Sequence, residues 1–269
     1  MTGLATRGER IVIWLSGLLL AAVLLVLYAP VIIGALFSVV NLQRGHILWQ
    51  SASLDSYAKL LGNDDILAAL RNTAIVAVVS VAAATVMAVV LALYVHGERA
   101  MGRGWIELMV YLPFVMPPIV TGLSLLLFFA GLGIARDIVT ISIGHGVFVL
   151  AILYRTILVR LQSLPRTLAE ASADLGATRR QTFRYVILPY LKSALITGAL
   201  LALTLSFDET LITVFLAGDR MTLPLRLWAM MRVGFTPEIN ALITLVILAS
   251  IALAIGVAAR MRGAGRLGF

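Results

Sequence analysis

The sequence contains no cysteine, which excludes disulfides, thiol catalysis and cysteine-based metal sites. Lysine is almost as scarce, with Lys59 and Lys192 the only two. They follow Ala58 and Leu191, so the chain lacks the glycine–lysine pair of a phosphate-binding loop and does not itself hydrolyse ATP. The three histidines, His46, His96 and His145, show neither metal-ligand spacing nor an H-E-x-x-H pattern. Charged residues make up only 13% of the chain. Polar–apolar alternation at period two is absent, which argues against an outer-membrane barrel. No convergent acid, base and nucleophile set appears, so no residue is assigned as catalytic or metal-binding and an intramembrane enzyme is disfavoured.

What remains is apolar. The 269 residues are 61% hydrophobic, with a mean hydropathy of +1.03. Runs longer than about 18 apolar residues are long enough to cross a bilayer as helices, and helices satisfy their own backbone in lipid. Six spans are read, at about 11–40, 72–95, 106–132, 138–159, 193–216 and 239–259, forming a single all-α transmembrane domain over 1–269. The first follows Arg7 and Arg10 and is too long for a signal-peptide core, so it reads as an uncleaved span. Lys and Arg divide fourteen to seven between the two sides, the richer side holding both termini and the 160–192 segment. Positive residues accumulate in cytoplasmic loops, so that side is cytoplasmic. The net charge of +8 is therefore a topology signal rather than a nucleic-acid footprint.

Local patterns refine this outline. Pro113, Pro117 and Pro118 interrupt the third span, and a kink is expected there. The stretch DSYAKLLGNDDILAAL reads as a short surface helix on the outer side. Between the last two spans, Leu223, Leu227, Met230 and Met231 make one face of an interfacial helix, with Trp228 at headgroup level.

The 160–192 segment is charged and helical, out of keeping with its surroundings. Leu168, Ala171, Ser172 and Leu175 share one helix face, while Glu170 and Asp174 lie four apart on another. Gly176 supplies a stop, and a second helix follows with Phe183, Val186 and Ile187 apolar and Arg179, Arg180 and Arg184 polar. Amphipathicity alone is equally compatible with a loop lying on acidic lipid. The residue order is more specific: Glu170-Ala171-Ser172, three residues, Gly176, nine residues, Val186, one residue, Leu188-Pro189. This closely resembles the EAA loop of permease subunits in binding-protein-dependent ABC importers, with Ser172 and Val186 as conservative departures. The SFDE group beginning at Ser206, the TLP at 222–224 and the PEINA at 237–241 extend the similarity to spermidine/putrescine-type permeases. His145 also sits where such permeases often carry a histidine, although the proline that commonly follows is missing.

The resemblance implies a type I ABC importer permease in a bacterial inner membrane, with both termini cytoplasmic. Glu170, Ala171, Ser172, Asp174, Leu175, Gly176, Leu188 and Pro189 would belong to the element that docks in a groove of a cytoplasmic ATPase. The implied partners are an ATPase dimer, a second identical or homologous permease subunit, a periplasmic solute-binding protein and membrane lipid, with no nucleic acid. ATP and Mg would be held by the ATPase, leaving this chain without a cofactor. The implied solute is a polyamine; opines, amino-acid-derived solutes and iron share the framework. A stand-alone secondary transporter is the competing class, for which the absence of inverted repeats offers no support.

Asp208 and Glu209 are the leading candidates for the substrate path. Ionisable groups inside a span cost about 2.5–3.5 kcal/mol on insertion scales and mark functional sites. Both would attract an ammonium group; the alternatives are a structural pairing or a span that ends before them. Phe207 and Trp228 are lesser candidates for stacking on a cation. His145 is expected to be a packed histidine with its ring hydrogen-bonded, Gly144 and Gly146 to permit close helix packing, and Glu107 to pair with Arg103 four residues away.

Overall fold

The computed structural model of the chain describes residues 7–43, 46–49, 52–97, 100–233 and 237–264. Arg44, Glu98, Arg99 and Arg266, part of the charge distribution above, lie outside the described residues. In chain order the elements begin with α1 (Arg7–Phe37), a hairpin of β1 (Asn41–Gln43) and β2 (His46–Leu48), α2 (Asp55–Leu61) and α3 (Asp64–His96). Next come α4 (Arg103–Val115), α5 (Pro118–Gly131), α6 (Ile138–Gln162), α7 (Arg166–Asp174) and α8 (Arg179–Thr182). A π-helical turn (Phe183–Ile187), α9 (Leu188–Asp208), α10 (Leu211–Leu216), α11 (Leu223–Val233) and α12 (Pro237–Ala264) complete the series. The expected all-helical class holds, the hairpin being a minor addition.

Two compact units divide the chain, residues 1–64 with 230–269 and residues 65–229. In the first, α12 packs on α1 and on α2. The Ser38 hydroxyl donates to the Ala35 carbonyl and lies 2.6 Å from the Tyr57 hydroxyl, tying the end of α1 to α2. Of the stretch expected as a surface helix, only Asp55–Leu61 forms one, α2; from Asp64 onward the chain already belongs to α3.

The second unit is organised on α6. Ile141, Val149, Leu153, Tyr154, Ile157 and Leu161 are buried along it, and α9 is its principal neighbour. The same hydrophobic cluster includes Ala84, Ala88 and Ala92 of α3, a stripe of small residues four apart. Small residues let helix backbones approach closely, which supplies packing where lipid removes the hydrophobic drive between helices.

Among the described residues, four helices are long and apolar enough to cross a membrane: Val12–Phe37, Asp64–His96, Ile138–Gln162 and the continuous Arg179–Asp208. The sixth expected span, 239–259, lies within the continuous α12, whereas the third departs from a uniform run. The kink foreseen in 106–132 is a break, with α4 and α5 bent by 109°. Met116 and Pro117, each preceding a proline, take extended ψ angles of 146° and 132°. That is the conformation a following proline ring imposes. Pro117 has no N–H to give the Pro113 carbonyl, and the Thr121 hydroxyl donates to it instead (3.3 Å).

The fifth span, expected as one helix over 193–216, is also interrupted. The α9 helix ends at Asp208, Glu209 is extended (ψ 109°), and α10 begins again at Leu211. The Glu209 carboxylate accepts from the Ile212 N–H (2.9 Å), and its carbonyl accepts from the Thr213 hydroxyl (2.9 Å). A side chain that bonds the backbone three residues on competes with helix continuation and caps the new start.

The fragment α10 is held in a notch. It packs on α5 and α6, where a Cβ added to Gly122 would lie 3.1 Å from Ile212 Cα. One added to Gly144 would lie 2.6 Å from Leu216 Cδ1. Gly146, by contrast, has only ordinary contact with Ser80. Beside the notch, His145 is 1% exposed. Its Nδ1 lies 2.9 Å from the Ser206 hydroxyl and its Nε2 lies 2.8 Å from the Thr213 hydroxyl. Ser206 in turn meets Ser80 of α3 at 3.3 Å. The imidazole thus joins the two sides of the break in span five, as the packed, hydrogen-bonded histidine expected.

Two consequences can be measured by thermal unfolding of the purified protein in detergent. Gly122→Val should destabilise by about 1–3 kcal/mol, the usual cost of overpacking, because the α10 backbone cannot yield. His145→Leu should cost a similar ~1–3 kcal/mol by removing the two hydrogen bonds that join Ser206 to Thr213 across the break, leaving these hydroxyls only Ser80 and the Glu209 carbonyl. Wild-type midpoints for both variants would contradict the notch and the imidazole clasp.

Candidate functional site

The segment 160–192 folds as the two short helices that the sequence indicates. The first, α7, starts after Pro165 and buries no residue. Glu170, Ala171 and Asp174 are exposed on it. Its end is a Schellman arrangement. The Gly176 N–H donates to the Ala173 carbonyl and the Ala177 N–H to the Ser172 carbonyl, at 2.9 and 3.1 Å. Gly176 takes φ +78°, the left-handed conformation that favours glycine. The turn leaves Leu175 88% exposed.

The second helix opens on a capping box. The Thr178 hydroxyl accepts from the Gln181 N–H while Gln181 Oε1 accepts from the Thr178 N–H. Between the two helices, the Ser172 and Thr182 hydroxyls meet at 3.0 Å, so the serine that departs from the family's alanine makes a cross-link of its own. The chain then continues without interruption into α9. Leu188 donates to the Phe183 carbonyl, five residues back, in the π-helical turn. Pro189 follows at the start of α9. A proline lacks the donor for the carbonyl four residues back and its ring crowds that carbonyl. A locally wider turn admits it without ending the helix. Leu188 and Pro189 therefore sit at a joint between the surface element and a membrane helix. Leu168, Leu175 and Tyr185 are exposed on this element, as are Arg179 and Arg180 of α8.

At the other end of α9 the two acidic residues separate. Asp208 is exposed on the last turn of the helix. Glu209 is only 9% exposed and caps α10. Phe207 is half-buried beside them in sequence, whereas Trp228 lies half-exposed on α11. The helix α11 was expected from its apolar spacing, although Leu223 on that face is buried within the protein. Glu107 pairs with Arg103 at 3.2 Å, as its i, i+4 spacing suggests.

The sequence reading did not foresee the break at Glu209 or the joining of Ser80, Ser206, Thr213 and His145. A signal for the break existed: an acidic residue and a threonine directly before an apolar run are a helix-start pattern. No comparable signal pointed to Ser80, which is 126 positions from Ser206.

Residues 84–264 match the family described as "Binding-protein-dependent transport system inner membrane component". The putrescine transport system permease protein PotI of Escherichia coli K12 is 36% identical over 229 residues, covering 82% of this chain and 81% of the relative. The spermidine/putrescine transport system permease protein PotC of the same strain is 32% identical over 242 residues, covering 90% and 91%. Among solved structures, a chain of a bacterial ABC transporter involved in import of the acidic polysaccharide alginate superposes with a TM-score of 0.75. Its identity is 20%, over 96% of this chain and 99% of that one. A chain of an alginate transporter in complex with a pentasaccharide-bound periplasmic protein gives a TM-score of 0.69 at 17% identity, covering 93% of each. At such identities these likenesses establish the fold, while the sequence family establishes kinship. The chain belongs to the inner-membrane permease family of binding-protein-dependent ABC importers.

Proposed function

We propose that this permease passes a small cationic solute of the putrescine/spermidine class from a periplasmic binding protein to the cytoplasm, driven by ATP hydrolysis on partner subunits. The observation that carries the substrate reading is its kinship, at 32–36% identity over most of the chain, with permeases named for putrescine and spermidine. The geometry of α9 supports it. Asp208 places a solvent-exposed carboxylate at the C-terminal end of a membrane helix. Helix C-termini carry partial negative charge and favour cations, and interrupted membrane helices use such ends to hold them. Of the two acids singled out in the sequence, Asp208 is the one available to an ammonium group. Glu209 is engaged with the backbone of α10.

The drive enters through the α7–α8 element. A permease needs two states, and ATP can shift their balance only if its ATPase contacts them differently. The exposed Leu168, Leu175 and Tyr185, with the arginines of α8, offer a surface for that contact. The unbroken path from Arg179 to Asp208 offers a mechanical route. Displacement of the surface element would be carried along one helix to the break that the His145 clasp spans. The working assembly in this reading contains two permease chains, two ATPase subunits and the binding protein, across six spans per chain.

The first test is ATP hydrolysis by the purified complex in lipid, with its binding protein and a panel of solutes. Stimulation by putrescine or spermidine is expected; stimulation only by an anionic or neutral solute would overturn the cationic reading. Asp208→Asn should lower polyamine uptake about tenfold, on the scale of losing one charge-assisted contact. Glu209→Gln retains an acceptor for Ile212 and should leave uptake near wild type. Equal loss in both variants would refute the division of roles. A second test addresses coupling: Glu170→Ala and Gly176→Val should separate transport from the ATPase, read as loss of solute-stimulated hydrolysis in protein that still inserts in the membrane. Undiminished stimulation would rule out docking through α7.

A further inference from the structure

A groove lies between α6 and α9, beside the end of the bundle that leads into the α7–α8 element. Its volume is about 340 Å³, and Thr156, Arg160, Ser163, Ser193 and Thr197 supply its polar lining. Val159 and Ala194 complete the walls, and no carboxylate lines it. The two helices close on one another next to the groove, where a Cβ on Gly198 would touch Leu153 and Thr156 at 3.4–3.5 Å.

Arg160 is held in place before any ligand arrives. Its Nε donates to the Tyr190 carbonyl (3.2 Å), and its guanidinium lies over the Tyr190 ring, 3.9 Å from the centroid. Tyr190 is itself anchored by its hydroxyl, which donates to the Ser163 carbonyl at 2.9 Å. The hydroxyls of Ser163 and Tyr190 also meet at 3.1 Å. Among the described residues, Arg160 pairs with no carboxylate. With Nε occupied, its two terminal nitrogens remain as donors. The planar guanidinium held in this way suits an acceptor-only oxyanion that can take two N–H bonds, such as a phosphodiester.

Depth identifies the source of that phosphate. The apolar runs of the fourth and fifth spans meet the polar 160–192 segment at residues 159 and 193, which are at the groove. It therefore lies at headgroup level, where basic pockets between membrane helices bind anionic lipid. Arg155 and Lys192, exposed next to Thr156 and Ser193 in sequence, add positive charge around it. Acyl chains would run along the exposed apolar flanks, which include Val159 and Ile196.

We propose that the α6–α9 groove is a binding site for the phosphate headgroup of an anionic phospholipid, with Arg160 as its principal ligand. The site is independent of the transported solute. It adjoins the joint at Leu188–Pro189, so an occupying lipid would stiffen the connection between the α7–α8 element and α9.

Native mass spectrometry of the whole transporter complex, delipidated and then titrated with dioleoyl phosphatidylglycerol, tests the proposal. Wild type should retain phosphatidylglycerol on each permease chain. Arg160→Gln should weaken that binding about tenfold, as expected for one charge-assisted contact. Thr197→Leu, which fills the groove and leaves the Arg160–Tyr190 contacts intact, should weaken it as well and guards against a folding artefact in the first variant. Unchanged retention in both variants would overturn the proposal. Displacement of the lipid by millimolar inorganic phosphate would overturn it too, since it would assign the groove to a free anion. With no native cysteine in the chain, Ser193→Cys gives a clean third readout. Labelling by a lipid-soluble maleimide is expected; protection from it in the assembled complex but not in the separated chain would show that protein, not lipid, covers the groove.

Discussion

Inside a membrane every backbone N–H and C=O must find a partner within the protein, because lipid offers none. This protein interrupts two of its membrane helices, and both interruptions are possible only because side chains take over the lost backbone bonds. At the proline break, the Thr121 hydroxyl serves the Pro113 carbonyl that Pro117 cannot. At the acidic break, the Glu209 carboxylate serves the Ile212 N–H and the Thr213 hydroxyl serves the Glu209 carbonyl. Without those substitutions, each break would leave unsatisfied groups costing several kcal/mol apiece in hydrocarbon.

The two breaks are also linked in space. The fragment α10, released by one, packs on α5, released by the other, through the surface that Gly122 leaves open. His145 clasps Ser206 before the acidic break and Thr213 after it, so the pieces are hinged rather than loose. The continuous helix that ends at this hinge begins at the α7–α8 element; in the proposed function it joins the ATPase-facing surface to the cation-binding end. The exposed Leu168 of α7 and Leu175 at its end are apolar surface that the proposed ATPase contact would cover.

Buried and exposed charges in this chain have different work. Glu209 acts on the backbone next to it and contributes to the fold. Asp208 and Arg160 keep their charge available, one at the end of α9 and the other in the α6–α9 groove beside its beginning. Their opposite signs, at the end of α9 and beside its beginning, match the proposed cationic solute and the proposed anionic headgroup.

Much was legible in the sequence because it depends on local order. Apolar run length foretold helices, and the spacing from Glu170 to Gly176 and beyond foretold two short helices with a glycine stop. Even the left-handed Gly176 follows from the residue type, since a side chain there would be strained. The proline cluster announced a disturbance but not its 109° bend, because the angle depends on what α5 packs against. Asp208 and Glu209 looked equivalent as neighbours in an apolar run. Only the tertiary structure separated them, by closing α10 into a glycine-lined notch and directing one carboxylate onto its backbone. The Ser80–Ser206–His145–Thr213 network and the Arg160 groove were likewise beyond sequence reading. Their members come from different helices, and a hydrogen bond between residues more than a hundred positions apart is set by packing, which local pattern does not encode.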